Sequence, residues 1–162
     1  MTEDFDTKLT GDFIPEDPFM PIIKIRYASP DIIPIEQTDN GDWIDLRAAE
    51  DYEFKAFEYG KINLGVAMDI PNEYEAHVVP RSSTFEKFGI IMTNSTGIID
   101  HTYCGNNDFW RFPALAIRPT VIHKNDRICQ FRIYERMKKV CIKPVIDLGN
   151  PDRGGFGTTG IK

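Results

Sequence analysis

The sequence predicts an all-β domain, an antiparallel β-barrel or jelly roll with one short helix. Three observations carry that reading: many short runs of alternating apolar and polar residues, turn-forming residues between those runs, and one local helix-start signal. The alternation is plainest in Lys61–Met68, where Ile62, Leu64, Val66 and Met68 interleave with Asn63, Gly65 and Ala67. Other candidate strands are Ile22–Tyr27, Trp43–Ala48, Glu75–Val79, Ile90–Thr93, Phe109–Arg118, Arg127–Glu135 and Val140–Val145. Asp39-Asn40-Gly41, Pro71-Asn72, Asn94-Ser95-Thr96-Gly97 and Lys124-Asn125-Asp126 separate them. Short strands at such spacing belong to barrels and jelly rolls.

Ser83-Thr84-Phe85-Glu86 has capping-box spacing, and Gly89 stands where a short helix would end. The unpaired N–H groups of a helix start attract anions. Residues 1–20 are set apart as an acidic arm: Glu3, Asp4, Asp6, Asp12, Glu16 and Asp17 face one base, Lys8, and Pro15 and Pro18 interrupt any helix. Phe5, Phe13 and Phe19 would lay this arm over a neighbour if it is not disordered. Residues 21–148 form the β domain. Residues 149–162 hold five glycines and read as a tail that is frayed or that orders on a ligand.

Charge excludes some partners. With 25 acidic and 19 basic residues among 162, the chain carries −6, against the basic excess that nucleic-acid binding needs. The arm supplies −5 of that, six acids less one base, so the body is left at −1 and can accept a phosphorylated ligand through a few local donors. The N-terminus has neither a positive n-region nor an apolar h-region, and no apolar run approaches the ~20 residues of a membrane helix. Cys104, Cys129 and Cys141 are odd in number and lack CxxC spacing, which suits free thiols in a reducing cytoplasm. His77, His101 and His123 are too scattered for a His/Cys zinc site.

Four segments break the alternation in ways that packing does not require. Asp45 shares a strand face with Trp43 and Arg47, so it is either a carboxylate paired with Arg47 or a functional group. Pro80-Arg81-Ser82-Ser83 puts a guanidinium and two hydroxyls at a helix start, which suits a phosphate cradle as well as simple capping. In Asn94–Gly105, a turn with Asn94 and Gly97 exposes backbone donors and acceptors. Asp100 and Tyr103 follow it, able to bind a sugar hydroxyl and stack on its ring, or to be a loop carboxylate and a core aromatic. Arg153–Gly160 is Gly-rich with an Arg, Phe156 and two threonines. It lacks a P-loop's lysine and context, and reads as a lid over an anionic aromatic ligand or as a plain tail.

Taken together and in order, these segments resemble the trimeric dUTPase family (deoxyuridine triphosphate nucleotidohydrolases). The motifs are Asp45-Leu46-Arg47-Ala48-Ala49, Pro80-Arg81-Ser82-Ser83, Asn94 through Gly105, Asp126-Arg127-Ile128-Cys129-Gln130 and Gly154 through Gly160. Their phrasing is nearest to members from Bacillus-like bacteria and their phages. The resemblance implies a jelly-roll homotrimer with active sites between subunits, a C-terminal arm that closes over a site, and Mg²⁺-dependent hydrolysis of dUTP to dUMP and pyrophosphate. It implies that Asp100 binds the 3′-hydroxyl and activates the water that attacks the α-phosphorus in line. Tyr103 would pack under the deoxyribose, and Asn94 with the Gly97–Ile98–Ile99 backbone would read uracil. Arg81, Ser82, Ser83 and Gln130 would hold phosphate oxygens. Asp45 would meet the metal's water shell, with no metal ligand supplied directly by the protein. Arg153, Phe156, Gly157 and Thr158 would close over the substrate.

The sequence departs from the family pattern in two places. Arg153 abuts Gly154, and Pro151 falls where the family arginine would align, so Arg153 reaches a γ-phosphate by another path or not at all. Asn107-Asp108-Phe109-Trp110 is unusually aromatic, so Phe109 or Trp110 would share the stacking role with Phe156. Cys104 and Cys129 lie inside motifs and read as small space-fillers. A dCTP deaminase of the same fold is disfavoured because Phe109–Ala116 carries no acid. A regulatory module that captures a partner protein remains open as a second role, with the acidic arm as its natural element.

Overall fold

The computed structural model describes residues 17–39 and 41–155. The strands are β1 (Lys24–Tyr27), β2 (Ile44–Arg47), β3 (Tyr52–Phe54), β4 (Tyr59–Asn63), β5 (Val66–Asp69) and β6 (Tyr74–Pro80). The helix α1 (Thr84–Phe88) comes next, then β7 (Ile90–Met92), β8 (Gly97–Ile99), β9 (Arg111–Ala116), β10 (Thr120–Ile122) and β11 (Arg127–Glu135). All pairings are antiparallel. They form a four-stranded sheet β2-β11-β6-β8, a three-stranded sheet β4-β9-β7, and the pairs β1-β5 and β10-β3. The all-β jelly-roll expectation holds, with one short helix among the described residues.

The alternation across Lys61–Met68 is real but serves two strands. After β4 the backbone turns at Gly65, whose φ is +67°. A Cβ there would collide with Ile32 and approach Ala49 to 3.1 Å. Only glycine adopts this left-handed conformation without a side-chain clash. The turn carries the chain from the β4 sheet to the β1-β5 pair, and the apolar side chains keep facing one core. That core takes Leu46 from β2, Ile62 from β4, Met68 from β5, Val78 from β6, Phe112 from β9, Ile122 from β10 and Phe131 from β11.

Trp110 is fully buried in this core, edge-on to Phe131 with ring centroids 5.2 Å apart. Its backbone N–H donates to Val66 O (2.8 Å), and its carbonyl accepts from Leu64 N (2.9 Å). Trp110 therefore has no face open to a ligand, which removes it from the stacking role. Two further expectations change. Val140–Val145 forms no strand: its alternation pairs with no edge among the described residues, and Val140, Ile142 and Val145 are exposed. Ser83 is the N-cap of α1 but makes no side-chain bond to it. The hydroxyl that secures this corner belongs to buried Thr84, which accepts from Arg81 N (2.9 Å) and donates to Ile128 O (2.8 Å). Gly89 ends the helix as expected, at φ +62°.

Burying an indole and then deleting it leaves a large cavity. Trp110→Ala is therefore expected to lose about 3–5 kcal/mol of stability in denaturant unfolding at fixed protein concentration. A variant with unchanged stability but lost substrate binding would return Trp110 to the ligand.

Candidate active site

The four-stranded sheet gathers the chemistry-bearing segments. Along β11, Cys129 and Phe131 point into the core while Gln130 is half-buried on the outer face. Gln130 stands opposite Asp45 of β2 on one side and Val79 of β6 on the other. Cys129 stands opposite Pro80, so Arg81 leaves the end of β6 beside the start of β11. β8 joins the far edge of β6 with Gly97 opposite Val78 and Ile99 opposite Ala76.

At one corner of this face Asp45 is bound by two arginines. Its Oδ1 lies 2.7 Å from Arg81 Nε and its Oδ2 lies 2.9 Å from Arg127 Nη1. Of the two readings of Asp45, the pair with Arg47 does not form. Arg47 donates to the Asn125 carbonyl at 2.8 Å, because the turn before β11 lies beside the end of β2. Two guanidinium groups against one carboxylate leave this corner net positive. Ser82 is exposed and Ser83 half-buried beside it. With five residues, α1 has little macrodipole to offer, so anion binding here falls to the arginines and hydroxyls.

At the opposite corner, just past β8, Asp100 is exposed and its Oδ1 is held locally. Thr102 donates to it from its backbone N–H (2.8 Å) and its hydroxyl (2.7 Å). These bonds favour the charged form and hold the Asp100 carboxyl below its ordinary pKa, the backbone bond contributing most and the hydroxyl next. Tyr103 closes the turn by donating its N–H to Asp100 O at 2.9 Å, and its ring is 41% exposed. The motif is a strand followed by a turn, since β8 pairs with β6 and has no hairpin partner of its own among the described residues. Asn94 is exposed in the turn before β8.

The two corners lie far apart within one chain. Continuing the registers, Asp45 is level with Gln130, Val79 and Thr96, whereas Asp100 is level with Glu75. Three strand gaps and four residues separate them, about 14 Å across the sheet and about 13 Å along it. Both point to the same face.

The remaining candidates are dispersed. Arg153 is exposed outside regular structure, while Phe156, Gly157 and Thr158 lie outside the described residues. Phe109 is half-buried with the Arg26 guanidinium 5.3 Å from its ring centroid. Cys129 fills space as expected, but Cys104 is exposed and fills none. Among the described residues no group of three or more His, Cys, Asp or Glu side chains converges. The carboxylate oxygens of Asp45 retain lone pairs beyond the two arginine contacts, so Asp45 can accept from the water of an ion carried by an anionic ligand, while the net positive corner offers no direct cation cage.

Sequence reasoning missed Arg127, Thr102, His101 and Arg136. Arg127 stood inside a motif without a role. The Asp-x-Thr spacing could have shown the Thr102 bond, but no sequence signal joins His101 to Arg136, which lie 3.1 Å apart.

Comparison with known proteins places this architecture. The dUTPase family matches residues 32–160. The SPbeta prophage-derived deoxyuridine 5′-triphosphate nucleotidohydrolase of Bacillus subtilis (strain 168) is 57% identical over 140 residues, 86% of this chain and 99% of that protein. Among solved structures, the Staphylococcus bacteriophage 80alpha dUTPase with dUPNHPP aligns at TM-score 0.71 and 18% identity, covering 86% of this chain and 99% of that one. A mutant dUTPase from phage phi11 of S. aureus, described with a structural Mg(II) ion, aligns at 0.68 and 18%, covering 78% and 98%. At that identity these two likenesses speak for the fold. The family match and the Bacillus relative settle the kinship: this chain belongs to the dUTPase family.

Proposed function

We propose that this protein hydrolyses dUTP to dUMP and pyrophosphate, with each site assembled from two copies of the chain. The observation that carries the shared site is the separation of Asp45–Arg81 from Asp100–Tyr103 on one sheet face. A general base must come within about 3 Å of the water it activates. Phosphates held by Arg81 therefore lie beyond the reach of Asp100 in the same chain. A second copy that presents its Arg81 corner to the first copy's Asp100 corner removes the mismatch. Closed rotational symmetry would repeat such a contact, in keeping with a homotrimer.

In this arrangement Arg81, Ser82, Ser83 and Gln130 hold the phosphates. Asn94 and the backbone from Gly97 to Ile99 read uracil, and Tyr103 packs under the deoxyribose. Asp100 keeps Oδ1 on Thr102, which leaves Oδ2 to accept the proton of the water aimed at the α-phosphorus. Mg²⁺ carried by the triphosphate would neutralise its charge, and Asp45 is the carboxylate placed to meet the ion's water shell. Arg153, Phe156, Gly157 and Thr158 belong to the arm, residues 149–162, that closes over the bound nucleotide. Residues 21–148 are the catalytic body. The acidic arm, residues 1–20, stands outside this chemistry and is open to a regulatory partner. Three free cysteines suit a cytoplasmic setting.

Incubation with dUTP, dCTP, dTTP and UTP, with and without EDTA, tests the reading. Pyrophosphate is expected from dUTP alone, suppressed by EDTA and reduced about 10²–10⁴-fold in Asp100→Asn. Ammonia from dCTP, or full turnover in Asp100→Asn, would contradict it. The pH profile gives a second check. Because hydrogen bonds lower the Asp100 pKa, the base stays ionised, and kcat/KM holds up, to lower pH than an ordinary carboxylate allows. Thr102→Val keeps the N–H but deletes the hydroxyl, so the acid limb is expected to move to higher pH. An unmoved limb would remove Thr102 from the account.

A further inference from the structure

The residue next to Asp100 has no role in the scheme above. His101 is mostly buried, with 21% of its side chain exposed. Its Nδ1 is buried, 3.0 Å from Asp100 Oδ1, yet it completes no aligned hydrogen bond. Its Nε2 is 3.1 Å from Arg136 Nη1. An arginine only donates, so Nε2 must accept, and a neutral ring then carries its proton on Nδ1, facing Asp100.

Arg136 is itself anchored. It follows β11 directly, and the same Nη1 reaches the Asn72 carbonyl (2.6 Å) and side-chain oxygen (2.8 Å), so its two hydrogens are shared among these oxygens and His101 Nε2; its backbone N–H donates to Glu73 O at 2.8 Å. The turn between β5 and β6, the end of β11 and the Asp100 turn are thereby linked.

We propose that His101 is a positioning residue for the reaction: Arg136 fixes its Nδ1–H tautomer, and that N–H joins Thr102 in holding Asp100 Oδ1, leaving Oδ2 for the attacking water. The inference rests on the reading of Asp100 as the base. Two arguments support it. A buried donor left without a partner is costly, and Asp100 Oδ1 is the acceptor at hand. Catalytic hydrogen bonds that are loose in the free protein commonly tighten once substrate is bound. Thr102 also belongs to the same short turn as Asp100, so it moves with that turn, whereas His101 ties the carboxylate to β11 through Arg136. The charged groups in contact with the ring are Asp100 and Arg136; continuing the β6–β8 register puts Glu75 level with Asp100, and its carboxylate lies 2.7 Å from His77 Nε2.

Three variants and one spectrum test this. His101→Asn keeps an amide donor near the place of Nδ1, whereas His101→Gln puts its amide near Nε2 and leaves Nδ1 unreplaced. Arg136→Met removes the group that sets the tautomer. With dUTP, kcat is expected to fall about tenfold in His101→Gln and Arg136→Met, with KM within about twofold, and to recover in His101→Asn. The acid limb of kcat should move to higher pH in His101→Gln. Long-range ¹H–¹⁵N NMR of the unmodified protein should show His101 protonated on Nδ1, whatever the variants do to folding. Asp100→Asn is the reference: if it retains turnover, the reading of Asp100 as the base fails. If it is inactive while His101→Gln matches the parent, or if His101 carries its proton on Nε2, the positioning role is overturned.

Discussion

The architecture depends on β11 being hydrogen-bonded along both edges. Cys129, Gln130 and Phe131 pair with β2 on one side and β6 on the other, and Arg132–Glu135 continue along β6. That double pairing fixes the register in which Asp45, Gln130 and Val79 come level, with Arg81 two residues further on, and a slip of one residue would turn Gln130 into the core and Phe131 out of it. Phe131 against Trp110 makes such a slip expensive, since both are among the largest fully buried side chains. Packing of the core and placement of the Asp45–Arg81 corner are therefore two consequences of one ladder.

Charge follows the same division. The acidic arm holds most of the chain's net −6, and the body is nearly neutral. Within the body the two corners differ in sign: one carries Arg81 and Arg127 around a single carboxylate, the other an exposed Asp100 kept ionised by donors. In the proposed two-copy site, opposite corners would meet, the arginine corner beside Asp100, without crowding either in the separate chain.

Much of this was legible in the sequence. Period-2 alternation marked most strands, and β11 coincides with the run expected at Arg127–Glu135. Motif order marked Asp45, Arg81, Asp100, Tyr103 and Gln130. The misses have local causes. β3, β10 and β8 are three residues long and give alternation few positions to register, whereas the equally short β7 showed itself through its unbroken apolar run Ile90-Ile91-Met92. Trp110 reads as a spare aromatic in a polar stretch, and only the pairing of its backbone with Leu64 and Val66 shows that it enters the core. Asp45 passed over its strand neighbour Arg47 for arginines 36 and 82 positions away, and such long-range choices leave no trace in spacing.

The central claim is that Arg81 and Asp100 serve one site from different copies, and subunit mixing tests it directly. Copies carrying Arg81→Ala and copies carrying Asp100→Asn are unfolded together in equal amounts and refolded, and dUTP turnover is compared with that of each variant refolded alone. Each alone is expected to be nearly inactive, while the mixture regains roughly a quarter of the parent activity, because random assembly pairs an intact Arg81 with an intact Asp100 at that fraction of interfaces. Verified mixed assemblies with no more activity than the two variants refolded separately would contradict the account.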